Sequence, residues 1–201
     1  AAQATGLIDL DMPTLNADIL CFAGHKTLMG PFGIGGFLIK HGITLKKVLT
    51  GGTGSASLTL DMPEEAPGRY EASSTNVVAI AGLNASLKGL DIDDHRETVR
   101  ELTEYLLEAL NNIPSVNLMG AFDTDKTLGI VSFVVEGYES DEIGTILDDE
   151  YDIAVRTGYH CAPYIHDYLG DKPYHGTIRI GIGQFNTKED IDALISAIES
   201  L

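Results

Sequence analysis

Two short apolar runs, Ile19-Leu20-Cys21-Phe22 and Ile34 to Ile39, flank a stretch with glycine at positions 24, 30 and 33 and again at 35 and 36. Apolar runs of this length bounded by glycine read as buried strands, with the glycine-flanked stretch a turn between them. The turn carries one lysine, Lys26, just beyond the first strand's carboxyl end, where α/β sheets bind ligands. Lys26 is therefore either a loop lysine at a strand end or an amine able to bond a carbonyl. The second role requires part of its population to be neutral. The glycines have neither phosphate-loop nor dinucleotide spacing, and close backbone packing around the lysine is their expected use.

With 44% hydrophobic residues in 201, the chain can bury a real core. The formal charge of −17 argues against nucleic acid or an anionic membrane as partner. No apolar run approaches the roughly 20 residues that span a bilayer. Two cysteines, Cys21 in an apolar strand pattern and Cys161 in a polar turn, make neither a disulfide framework nor a four-ligand zinc site. His160, Cys161 and His166 lack a fourth ligand at suitable spacing, so no metal is expected. A reducing, cytoplasmic setting fits.

Along the chain, Leu7 to Leu10 reads as a strand, Pro13 to Asn16 as a helical turn, and Gly42 to Gly68 as a long functional loop, with Ser57 to Leu60 a short alternating piece in it. Val77 to Leu87 reads as a tightly packed, mostly buried helix. A second helix follows Gly89, with Val99, Leu102, Leu106, Leu110 and Ile113 on one face, and ends at Pro114. Next come strands over Val116–Met119 and Gly129–Val135, a helix over Ser140–Asp149, and strands over Ile153–Arg156 and Thr177–Ile182. A final helix capped by Thr187 and Asp190 buries Ile191, Leu194, Ile195 and Ile198. The expected class is α/β: residues 1–90 as part of a large mixed-sheet domain, 91–201 as a small α+β domain.

Gly24-His25-Lys26 followed by Gly30-Pro31-x-Gly33-x-Gly35 resembles the cofactor-lysine motif of class V aminotransferase-like, fold type I pyridoxal-phosphate (PLP) enzymes, the cysteine desulfurase and selenocysteine lyase branch in particular. Other segments match in order. Ala1-Ala2-Gln3 resembles the family's Asp-Ala-Ala-Gln. Gly51 to Ser55 and Arg69-Tyr70-Glu71-Ala72 resemble the loop that reaches a partner subunit's cofactor. Ile153 to Pro163 resembles the catalytic cysteine segment, and Gly176 to Ile180 with Phe185-Asn186-Thr187 resembles the strand of the substrate-carboxylate arginine.

The resemblance implies that Lys26 holds the cofactor covalently and shuttles the substrate α-proton. It implies cofactor contacts from His25, Gln3, Thr53 and Ser74, with His25 near the phosphate. Arg179 would clamp the substrate carboxylate, and Cys161 would take sulfur from cysteine, or selenium from selenocysteine, with Arg156 and His160 supplying a cationic, substrate-binding neighbourhood. The residues themselves leave open a half-buried structural thiol at Cys161 and a solvent-facing arginine at Arg179. Ala23 stands where the family has serine or threonine, and Ser73-Ser74 where it has glycine-threonine.

The resemblance further implies a homodimer and a possible sulfur-acceptor protein. The chain opens at the glutamine motif, so it is expected to be the carboxyl-terminal half of a longer enzyme, inactive or nearly so alone. The alternatives are a class V aminotransferase or other PLP lyase, and a non-catalytic interaction domain.

Overall fold

A computed structural model of the chain describes every residue except 55–57, 121–122, 124–125 and 128. The expectations at Ser55 and Ser57 thus lie outside the described residues. The chain divides into two units, Ala1–Asp91 and Ile92–Leu201.

In the first unit, β1 (Ile19–Ala23) pairs antiparallel with β2 (Gly35–Ile39), Ile19 opposite Ile39 and Ala23 opposite Gly35. The two apolar runs thus form a hairpin around the lysine turn, as their spacing predicts. Gly36 lies under the Phe22 ring, where a Cβ would sit 2.6 Å from the ring. Residues 7–10 do not form the expected strand. The Leu7 and Ile8 amides donate to the Ala4 carbonyl at 3.0 and 3.2 Å, so these donors are spent in a local turn and not in a ladder. Residues 13–16 do form the expected turn, with Asp11 Oδ2 accepting from the Thr14 amide at 2.8 Å. The long loop is tied down by ions: Lys47 Nζ lies 2.5 Å and Arg69 2.6 Å from the Glu64 carboxylate. Hydrogen bonds from these two cations hold the Glu64 carboxyl below its ordinary value.

Helix α1 (Val77–Gly89) begins at Asn76, whose side chain accepts from the Ala79 amide at 3.1 Å. It is not mostly buried as its composition suggests. Ala79 and Leu83 are buried, whereas Val77, Val78, Ile80 and Leu87 are exposed. Its small residues serve a single stripe of close packing, where a Cβ on Gly82 would stand 2.5 Å from Pro31 Cγ.

The second unit is an antiparallel sheet of order β3-β4-β6-β5, with helices packed on it. Its elements run α2 (Ile92–Asn111), β3 (Val116–Leu118), β4 (Ile130–Val135), α3 (Ser140–Tyr151), β5 (Arg156–Gly158), α4 (His166–Leu169), β6 (Thr177–Gly181) and α5 (Lys188–Glu199). Phe133, Val131 and Ile178 meet Leu106, Leu110, Ile143, Leu147 and Ile198 in the core, every one of them at most 2% exposed. Ile113, just past α2, is buried as its spacing predicts, whereas Ile195 is half-buried.

Strand β5 starts three residues later than the sequence suggests. Asp152 ends α3 in the left-handed region (φ 56°), and the Ile153 amide donates to the Leu147 carbonyl at 2.9 Å. Residue 153 is thus consumed by the helix cap, and the ladder begins at Arg156. The base of the following excursion is closed by glycines. A Cβ on Gly176 would lie 2.4 Å from the Gly158 carbonyl oxygen, so only glycine lets these backbones touch.

The α5 capping box forms as its sequence predicts, Thr187 accepting from the Asp190 amide and Asp190 from the Thr187 amide. Thr187→Ala is expected to cost about 1 kcal/mol. Urea denaturation should show an unchanged slope and a lower midpoint.

Candidate active site

On the first unit, the lysine turn is built almost wholly from backbone. The Gly30 amide donates to the Gly24 carbonyl and the Met29 amide to the Lys26 carbonyl, both at 2.7 Å, while the Gly24 amide donates to Ile34 O at 3.0 Å. Gly24 and Gly30 are required by crowding, since a Cβ on either would come within 2.8 Å of a neighbour. Side chains fasten the turn from outside: Thr27 Oγ1 donates to Thr5 O at 2.5 Å, and Ser86 Oγ of α1 donates to Leu28 O. The Lys26 side chain makes no hydrogen bond or ion pair with a described residue, and the residue is exposed. Beside it, the His25 ring stacks on Phe32 with centroids 5.1 Å apart.

A pocket of about 760 Å³ is lined by residues 50–54 and 72–75. It brings Thr53 and Ser74 together, with the Ser73 amide donating to Gly52 O at 2.6 Å across it. Hydroxyls and glycine-rich backbone of this kind suit the oxygens of an anion. Gln3 is exposed on a separate turn. Among the described residues, no hydrogen bond or ring contact links Gln3 or this pocket to Lys26. An accessible, unpaired lysine amine and a hydroxyl-lined anion pocket both fit a phosphorylated aldehyde such as PLP.

On the second unit, Arg156 of β5 stands directly opposite Arg179 of β6, and Arg179 is opposite Ser132 of β4. Like charges facing each other across a ladder are unfavourable. Yet neither guanidinium is hydrogen-bonded or ion-paired with a described residue, in a chain with 30 acidic side chains. Such a pair is suited to bind an external anion, and the planar fork of each guanidinium fits a carboxylate.

His160 lies in the turn just past β5 and reaches Thr177 of β6. Its Nε2 is 3.1 Å from the Thr177 carbonyl and 2.7 Å from Thr177 Oγ1. A carbonyl can only accept, so Nε2 carries the proton and Nδ1 keeps a lone pair; Nδ1 is buried without a partner. Burial, then the charge of Arg179, pushes the His160 imidazole below its ordinary value, against the opposing pull of Thr177. In the window between this lowered value and the unfolded value of about 6.5, the unfolded chain binds the extra proton. Stability should therefore be lost as pH falls below about 6.5, and His160→Asn should flatten that slope in urea titrations at a series of pH values.

Cys161 is exposed and reduced. The turn that holds it has the Ala162 amide donating to Tyr159 O at 2.9 Å, with His160 at φ 51° and Cys161 at φ 61°. Two consecutive left-handed residues bridged by this bond form a type I′ turn, which normally takes Asn or Gly. A non-glycine residue in such a region costs about 1–3 kcal/mol and persists only where its surroundings hold it. Sequence reasoning missed what lies beneath. His166 and Asp171, 2% and 0% exposed, form a pair with Nδ1 2.5 Å from Oδ2. The available signal was an imidazole and a carboxylate flanking Gly170, whose φ of 73° folds the chain back between them.

Residues 1–194 match the family described as aminotransferase class-V. The cysteine desulfurase of Escherichia coli (strain K12 / DH10B) is 31% identical over 208 aligned positions, which cover 100% of this chain and 49% of that protein. The apo structure of cysteine desulfurase from Thermococcus onnurineus NA1 superposes with a TM-score of 0.89 at 31% identity, over 100% of this chain and 50% of that one. The S-sulfonic acid form of the cysteine desulfurase CsdA from Escherichia coli gives 0.82 at 29% identity, over 99% and 49%. The architecture is thus that of the cysteine desulfurases, and the chain spans about half the length of the relatives it matches. The chain belongs to the class V aminotransferase family.

Proposed function

We propose that these residues form the lysine-bearing, carboxyl-terminal half of a longer PLP-dependent cysteine desulfurase, one that moves sulfur from cysteine to Cys161 and releases alanine. The observation that carries the reading is the unpaired Arg156–Arg179 pair on β5 and β6, with the strained His160–Cys161 turn beginning just past the end of β5. That unit offers an anion-binding fork and an exposed thiol, the two groups a sulfur-bearing amino acid needs. The similarity to cysteine desulfurases supports it.

PLP, when bound, supplies the electron sink that loosens bonds at the substrate α-carbon. Lys26 would hold it, with His25, Gln3, Thr53 and Ser74 as contacts. Arg179 fixes the substrate carboxylate through two parallel N–H donors, and Arg156 adds positive charge beside it. Neutral His160 leaves the arginines as the fixed cations of this face, which favours a thiolate at Cys161. That thiolate attacks the substrate sulfur, forming an S–S bond as the carbon–sulfur bond breaks; the electron pair of that bond passes to the substrate's β-carbon, which takes up a proton to become the methyl group, and Cys161 is left as a persulfide. Lys26 takes the α-proton and returns it, so that alanine leaves.

The reading includes a homodimer, a cytoplasmic setting and a sulfur-acceptor protein; the net charge of −17 disfavours nucleic acid or membrane partners. Selenocysteine would be handled by the same groups. The test is product analysis of the full-length protein with PLP and cysteine. Alanine with a persulfide on the Cys161 peptide supports the proposal. A keto acid product indicates an aminotransferase instead, and failure to take up PLP indicates a non-catalytic interaction domain.

A further inference from the structure

The left-handed turn at Cys161 has to be held by something, and the contacts beneath it converge on one side chain. His166 Nε2 lies 3.1 Å from the Tyr159 carbonyl, the same oxygen that accepts from the Ala162 amide and closes the turn. A carbonyl only accepts, so Nε2 carries a proton and donates. The His166 ring also meets the Tyr159 ring edge-on, with centroids 5.0 Å apart. Its other nitrogen is fixed by Asp171, and Asp171 is anchored in turn. The Asp171 carbonyl accepts from the Tyr174 amide at 3.0 Å and the Gly176 amide at 3.2 Å, immediately before β6. The chain of contacts therefore runs from β6 through Asp171 and His166 to the turn. Asp171 Oδ1 is buried without a partner, so the His166 bond to Oδ2 is the side-chain contact that makes this carboxylate tolerable there.

We infer that the buried His166–Asp171 pair is a positioning unit that holds the Tyr159–Ala162 turn, and with it the Cys161 thiol, against β6. The inference rests on the reading of Cys161 as sulfur acceptor for its functional meaning, but not for its structural content. Neither residue touches substrate; both act through the Tyr159 carbonyl.

The test uses amide hydrogen exchange by NMR on the full chain, which needs no enzyme activity. His166→Leu/Asp171→Asn removes the donor to Tyr159 without stranding a charge. It should speed exchange of the Ala162 amide at least tenfold while the core amide of Phe133 is unchanged. His166→Gln/Asp171→Asn, which keeps a donor where Nε2 stood and removes the buried carboxylate, should keep most of the protection. If Ala162 exchanges at the parent rate in the double variant, the inference is wrong. Should Phe133 also accelerate, Asp171→Asn alone decides: a threefold or greater change confined to Ala162 supports the unit, and no change overturns it. Turnover in the full-length protein separates the two claims. A fall in kcat with an unchanged KM for cysteine ties the unit to sulfur transfer. Faster Ala162 exchange in a protein with no parent desulfuration leaves the positioning unit standing and removes the desulfurase reading.

Discussion

Lys26→Arg is expected to leave the fold unchanged and to abolish covalent capture of PLP. The turn is stabilised by backbone bonds among Gly24, Lys26, Met29, Gly30 and Ile34 and by hydroxyls of Thr27 and Ser86, none of which involves the Lys26 side chain. An exposed side chain without partners contributes within about 0.5 kcal/mol to stability. The guanidinium keeps the positive charge but is not deprotonated in proteins, so it cannot add to an aldehyde or move a proton. Incubation with PLP, borohydride reduction and peptide mapping should place the added mass on the Lys26 peptide of the parent and nowhere in the variant. Turnover of the full-length protein should drop by about 10²–10⁴-fold from loss of the general base alone. An adduct elsewhere in the parent would remove Lys26 from the proposed site.

At Cys161, stability and chemistry should separate. Cys161→Ala and Cys161→Gly both remove the proposed sulfur acceptor, so both should end persulfide formation, with alanine production falling to background. Their stabilities should differ, because position 161 sits at φ 61°. A Cβ in the left-handed region costs roughly 1–2 kcal/mol, and glycine is free of it. Cys161→Gly is therefore expected to be more stable than Cys161→Ala by about 1 kcal/mol in urea denaturation. Equal persulfide formation in the parent and either variant would mean that the sulfur acceptor lies elsewhere.

What was legible in advance followed periodicity and caps. The lysine hairpin, the α2 stripe of Val99, Leu102, Leu106 and Leu110, and the Thr187 capping box each rest on local spacing, and each forms. Two misreadings share a cause, and a third has its own. Leu7–Leu10 reads like a strand, but its first two amides bond to Ala4; Ile153 looks like a strand residue, but its amide caps α3. Backbone donors claimed by a neighbouring turn cannot be seen from side-chain pattern. The composition of α1 suggested a mostly buried helix, whereas only one stripe of it is buried, with Gly82 giving close approach to Pro31 and Ser86 bonding Leu28 O. In the candidate site, the cross-strand Arg156–Arg179 pairing and the His166–Asp171 pair depend on register and on a left-handed Gly170, both of which are products of tertiary structure.

Within the proposed function, the contact between Gly158 and Gly176 also limits how far sulfur can travel. It cinches both ends of the excursion that contains Cys161 onto adjacent strands, like a noose drawn shut at the neck. Cys161 lies three positions from that neck, so its leash is short whatever the outer part of the noose does. A persulfide there has little swing. Within the proposed function, delivery falls to the acceptor, whose own nucleophile must be brought down to the root of the noose, and lengthening the segment beyond Ala162 should widen the noose without lengthening the leash.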